Sequence, residues 1–183
     1  MARLVLLNGP PGIGKSTVAA RYADEHPGTL NLDVDRVRHL IGGWRTDFVG
    51  VGAIVRPVAE AMLQAHLAGN RSVVMPQYLG STAEVGEFER LANSAGATFV
   101  EIVLMADRDE SIARFLRCTD DEWRQEIQQI VVDDGGDAHL QCLYDDLLDG
   151  LADRPGAVLV TSPDGDADVT YERVMARLGH STR

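Results

Sequence analysis

The sequence predicts an α/β protein built in three layers, with a five-stranded parallel sheet between two sets of helices. Two observations carry this. Five short apolar runs, near residues 4–7, 30–33, 72–75, 98–105 and 157–160, read as strands, and at least one segment of helical period separates each from the next. Strands joined through helices lie parallel and are buried on both faces, so they read as continuous apolar runs rather than alternating ones. Leu4 to Leu7 is such a run.

The elements follow in order. Lys15 to Glu25 is a helix closed by Pro27-Gly28. Leu30 to Asp33 forms the second strand, and Asp35 to Ile41 a short helix that stops at Gly42-Gly43. Trp44 to Gly52 is glycine-rich and reads as irregular. The next helix covers Ala53 to Ala68, its regular part beginning at Pro57, because proline suits a first turn and disrupts a helix interior. Gly69-Asn70 ends it. Thr82 to Ser94 is helical, with Ser81 or Thr82 as its cap. Asp109 to Cys118, Asp121 to Val132 and Ala138 to Leu151 are three more helices, the last two parted by Asp133-Asp134-Gly135-Gly136, and Asp168 to Leu178 is the final one.

The 183 residues fit one domain spanning 1–183, and 45% hydrophobic with 25% charged residues is a globular composition. No apolar run approaches the roughly 20 residues of a bilayer span. Met1-Ala2-Arg3 leads straight into a strand without the series of segments that marks a signal peptide. Cys118 and Cys142 fit neither a zinc spacing nor a disulfide framework, so the expected location is cytoplasmic. A net charge of −11 disfavours polyanions, so neither nucleic acid nor a membrane is the expected partner. His26, His39, His66, His139 and His180 show no ligand spacing. Among 17 basic residues Lys15 is the sole lysine, retained where a compact ammonium serves and a guanidinium fork does not.

Gly9-Pro10-Pro11-Gly12-Ile13-Gly14-Lys15-Ser16 fits G-x-x-x-x-G-K-[ST], with a buried strand before it and a helix after it. That is a P-loop. Phosphates need several backbone N–H groups aimed inward, glycine allows the close approach, and the helix N-terminus adds partial positive charge. ATP with Mg²⁺ is the expected ligand pair. Gly9 to Ser16 and Thr17 hold the nucleotide, Lys15 reaches the β- and γ-phosphates, and the Ser16 hydroxyl ligates the metal.

Asp33 and Asp35 stand two apart at the end of the second strand, so their side chains leave on the same side and can face the γ-phosphate. Phosphoryl transfer to an alcohol needs one carboxylate near the hydroxyl and often another near the metal. The alternative is that Asp35 caps the following helix, with Asp33 in a turn. Arg38, one helical turn beyond Asp35, either binds a substrate oxygen or pairs with Asp35.

The cradle together with this acid segment resembles the P-loop small-molecule kinases, nearest to the polynucleotide-kinase-like, zeta-toxin-like and gluconate- or shikimate-kinase-like enzymes. The resemblance covers most of the chain in layout and the first forty residues in motif. It implies Asp35 as general base, Arg38 as a substrate contact, Asp33 beside Ser16 at the hydrated magnesium, and a P-loop NTPase fold with a helical lid. The third strand differs: it ends Met75-Pro76-Gln77-Tyr78, where polynucleotide-kinase-like members carry an Asp followed by small polar residues.

Arg108, Arg114, Arg117 and Arg124 surround the Cys118-Thr119-Asp120 break and mark 107–136 as the lid region. Such kinases close an arginine-bearing lid over the nucleotide. Arg117 is the preferred catalytic lid arginine and Arg114 the second, nucleotide-binding one; nearby acids offer both of them ordinary surface pairing instead. The loop 42–52 is the expected acceptor region, with Trp44 and, past the third strand, Gln77 as substrate contacts; folding back of Trp44 and Phe48 onto the core is the alternative. The reading is therefore an ATP- and Mg²⁺-dependent kinase acting on a small-molecule hydroxyl. Its rivals are a polynucleotide or RNA end kinase and a nucleotide-dependent regulatory ATPase. The acceptor's identity, ATP against GTP, and oligomeric state stay open at this point.

Overall fold

The computed structural model describes residues 1–117 and 125–179 in full and 122–124 as helical backbone. The expected break at Cys118, Thr119 and Asp120, the start at Asp121, and His180 lie outside these residues, as does the side chain of Arg124.

Five strands, β1 (Arg3–Asn8), β2 (Leu30–Asn31), β3 (Val73–Pro76), β4 (Thr98–Met105) and β5 (Val158–Thr161), form one parallel sheet in the order β2-β3-β1-β4-β5. The helices are α1 (Lys15–Glu25), α2 (Val34–His39), α3 (Phe48–Ala68), α4 (Thr82–Ser94), α5 (Arg108–Arg117), α6 (Glu122–Asp133), α7 (Asp137–Ala152) and α8 (Ala167–Arg177). The central strand explains the two-sided core. Leu4 and Leu6 join Val73, Met75 and the buried faces of α3 and α4. Val5 and Leu7 face the other way, into Val18 and Tyr22 of α1 and Tyr171 and Val174 of α8. Alternation along an apolar strand thus builds both cores at once.

Several boundaries shift by one or two residues from the sequence reading, and two departures bear on the site. The second strand stops at Asn31, because Asp33 caps α2 by accepting from the Asp35 backbone N–H at 3.2 Å. The cap is therefore Asp33, not Asp35, and the two acids stand at a helix start rather than on a pleated strand. α3 begins at Phe48, taking in much of the stretch read as irregular, and carries Pro57 in its interior. An interior proline costs about 3 kcal/mol. Asp47 offsets this by capping Gly50 N–H at 2.8 Å, and Val51, Val55, Ala59, Leu63 and Leu67 place one stripe of the helix in the core. By length and composition α3 could cross a bilayer. Its buried stripe and the Arg56–Glu60 and Arg56–Glu84 ion pairs are those of a helix covering a sheet.

Candidate active site

The site grows from the end of β1. Asn8 is fully buried; its Oδ1 accepts from Gly9 N–H at 2.8 Å and Leu79 N–H at 3.0 Å, and its Nδ2 donates to Leu79 O and Glu101 Oε1, both at 2.9 Å. Arg154, just past α7, donates to the same Glu101 oxygen at 2.7 Å. This buried network fixes the start of the P-loop and the loop after β3 to the same anchor. Gly9 has φ of 138°, and a Cβ there would meet Leu104 O at 2.4 Å. Gly12, at φ 79°, lies under α5, where a Cβ would meet the backbone of Phe115 at 2.6 Å. Both positions require glycine for the left-handed backbone and for the close approach. Gly14 caps α1 with no side chain of its own, so the first N–H groups of that helix are left to face an anion.

Lys15 Nζ donates to Gly9 O at 2.8 Å and Pro10 O at 2.9 Å. Burial pulls its ammonium down from the ordinary 10.5 to about 8, against the opposing pull of Asp35 and then Asp33. Ser16 Oγ donates to Asp33 Oδ2 at 3.1 Å. Asp35 is raised above the usual carboxylate value by desolvation first and by neighbouring Asp33 second, with Arg38 and Lys15 restraining the rise.

Two clefts meet at the P-loop. One, of about 530 Å³, runs from Gly12, Gly14 and Thr17 to Ser162, Asp164 and Thr170, with Arg114 and Arg117 on its wall. The other, of about 340 Å³, brings Lys15 and Ser16 together with Asp35, Gln77 and Tyr78, under Phe115, Ile127 and Val131. The structure thus gathers the cradle, Asp35 and Gln77 about one space. Tyr78 is held there by its hydroxyl, which donates to Leu143 O at 2.8 Å.

Other expected contacts lie elsewhere. Trp44, read as an acceptor contact, is 3% exposed in the core beside Val37 and Val51, its ring tilted against that of His39 with centroids 5.1 Å apart. An indole so placed gains far more from leaving water than from a loop position. Arg38 does not line the cleft among the described residues. Its Nη1 donates to Phe48 O at 2.6 Å, its guanidinium lies 3.9 Å over the Phe48 ring, and its Nε stands 3.6 Å from Asp35 Oδ1. Arg114 is nearly buried, tied to Glu110, Asp164 and the Ser162 carbonyl, whereas Arg117 is exposed and pairs with Asp164 at 2.7 Å. Arg108 is occupied with Asp145 outside both clefts. Sequence reasoning missed Ser162 and Asp164. Their place beyond the carboxyl end of β5 was the available signal. It also missed Phe115, Ile127 and Val131, whose apolar character reads as core.

A phosphate cradle at the carboxyl edge of a parallel sheet, flanked by a helical cover and a cleft holding a carboxylate, defines an ATP-dependent kinase of the P-loop class. The chain belongs to the family described as an AAA domain, which matches residues 4–135, within the P-loop small-molecule kinase superfamily. An adenylate kinase of Clavibacter michiganensis subsp. michiganensis is 30% identical, over 97% of this chain and 93% of that protein. Two solved structures share the fold. A gluconokinase from Sinorhizobium meliloti has a TM-score of 0.64 at 17% identity, covering 97% of this chain and 93% of its own. The shikimate kinase of Acinetobacter baumannii has a TM-score of 0.64 at 15% identity, covering 100% and 97%.

Proposed function

We propose that this kinase moves the γ-phosphate of ATP onto a hydroxyl of a small molecule, with Asp35 as general base. The observation that carries this is the placement of Asp35 in the same cleft as Lys15 and Ser16, with a carboxyl raised toward the range useful for proton transfer. Asp35 takes the proton of the acceptor hydroxyl as that oxygen bonds to the γ-phosphorus. The bond from phosphorus to the β–γ bridging oxygen breaks, leaving a phosphate ester, ADP and a protonated Asp35 that releases its proton to water. Lys15 exchanges its loop carbonyls for phosphate oxygens and neutralises their growing charge. Arg117, exposed at the mouth of the nucleotide cleft, adds a second cation there, and Arg114 holds α5 against the loop after β5. These are positioning and electrostatic tasks.

Magnesium suits the site. Ser16 Oγ and the Asp33 carboxylate are hard oxygen donors in contact, and the described residues hold no cluster of three His, Cys, Asp or Glu that would make a cage without phosphates. Bound there, the ion would lower the charge on the phosphates.

The 30% identity with an adenylate kinase favours a second reading, transfer to a phosphate of a nucleoside monophosphate. That reaction has no need of Asp35 as a base. A γ-phosphate transfer screen over hydroxyl compounds and nucleoside monophosphates, read by product mass, tests the proposal. A phosphate ester on a hydroxyl compound is the expected product. Hydrolysis of ATP that no acceptor stimulates would instead support a regulatory ATPase.

A further inference from the structure

Resting on that hydroxyl-kinase reading, we infer that the acceptor is a molecule without negative charge and with one apolar face, whose polar edge is read by the side-chain amide of Gln77. The charged side chains among the described residues lining the acceptor cleft are Lys15 and Asp35. Lys15 belongs to the triphosphate. An anionic acceptor would bring its charge beside Asp35, Asp33 and the γ-phosphate, with no guanidinium among the described lining residues to meet it. Arg38 stands outside the described lining: its Nη1 donates to Phe48 O, and its Nε, buried without a hydrogen-bond partner, lies 3.6 Å from Asp35 Oδ1. Arg45 pairs with Glu126 at 2.8 Å, with its guanidinium 4.5 Å over the Trp44 ring. Like charges gathered in a half-enclosed cleft repel strongly, so the described wall selects against anionic acceptors.

The positive selection comes from the other lining groups. Pro76, Phe115, Ile127 and Val131 offer an apolar wall. Their supports are firm: Ile127 also packs on the core, and Gln128 of the same helix donates to Leu116 O at 2.5 Å. Of the polar groups, the Tyr78 hydroxyl is engaged with Leu143 O and the Ser16 hydroxyl with Asp33, and Thr17 is shared with the nucleotide cleft. Gln77 has capacity left. Its Oε1 is buried with no hydrogen-bond partner, and its Nε2 makes a long 3.4 Å contact with Tyr78 O. A buried amide oxygen without a donor is unfavourable, and a small turn of this side chain brings it to a substrate O–H or N–H.

The test uses matched pairs of acceptors with ATP as donor: adenosine and AMP, uridine and UMP, glucose and gluconate, and methyl shikimate and shikimate. Product formation is followed by mass. The neutral member is expected to lead its pair by about tenfold or more in kcat/KM. Gln77→Ala is expected to raise KM for the best neutral acceptor roughly five- to tenfold, the worth of one neutral hydrogen bond, with kcat and KM for ATP within about twofold. Esters formed preferentially on the anionic members overturn the inference while leaving hydroxyl transfer intact. A product phosphorylated on the phosphate of AMP or UMP, or no product from any member, overturns the hydroxyl reading itself. An unchanged acceptor KM in Gln77→Ala removes the amide from recognition.

Discussion

Lys15→Met should stabilise the nucleotide-free protein while abolishing transfer. The ammonium sits in the cradle at a cost, since burial lowers it from 10.5 to about 8. At roughly 1.4 kcal/mol per pH unit, that drop is worth about 3 kcal/mol. Part of the Lys15 surface opens to the cleft, and solvent there trims the figure, so about 3 kcal/mol is a ceiling. The sign follows from linkage. Between pH 8 and 10.5 the unfolded chain holds a proton on Lys15 that the folded chain has lost, so stability from this group rises with pH across that window. Below pH 8 both states are protonated and the full penalty applies. Methionine keeps much of the stem and lacks the charge. Urea unfolding of both proteins without nucleotide should therefore show Lys15→Met more stable by about 1–3 kcal/mol at pH 7, with the gain fading toward pH 10.5. A variant less stable than the parent at pH 7, or a gain that does not change with pH, would refute this account of the cradle.

Two further outcomes follow from the same structure. Arg154→Met alone should destabilise by about 3–5 kcal/mol, because it leaves Glu101 buried with Asn8 as its sole described side-chain partner; adding Glu101→Leu should restore most of the loss, as measured by urea unfolding of the two variants and the parent. The pH profile of kcat/KM should be bell-shaped. Activity rises as Asp35 loses its proton, at a midpoint above the ordinary 3.8, and falls near pH 8 as Lys15 loses its own; Asp35→Asn should erase the acid limb.

How much of this was legible depends on the range of the interaction concerned. The sheet was readable because burial on both faces leaves an unbroken apolar run such as Leu4 to Leu7, and the P-loop because one stretch of eight residues holds its whole chemistry. Ser81 was a readable cap because its partner Glu84 is three residues away. The start of α3 was not readable: local preference set Pro57 against it, and the balance was decided by Val51 and Val55 meeting a core built from distant strands. Trp44 shows the same limit, since an aromatic on a glycine-rich loop carries no local sign of whether it faces a ligand or the interior. The Asn8–Glu101–Arg154 network joins positions 93 and 53 residues apart, a separation at which no spacing rule operates. Asp35 and Gln77 were placed at the cleft by the rule that ligands gather beyond strand ends, whereas Phe115, Ile127 and Val131 reach it only because α5 and α6 fold back over the P-loop.

The role of Asp35 is tested most directly by measuring ATP affinity and turnover side by side in Asp35→Asn. The change is isosteric and leaves the cradle, Lys15 and the Asp33 cap in place. ATP should bind within about threefold of the parent while kcat falls by about a hundredfold or more, the usual worth of a general base. Undiminished turnover, or ATP binding lost together with turnover, would contradict the assignment.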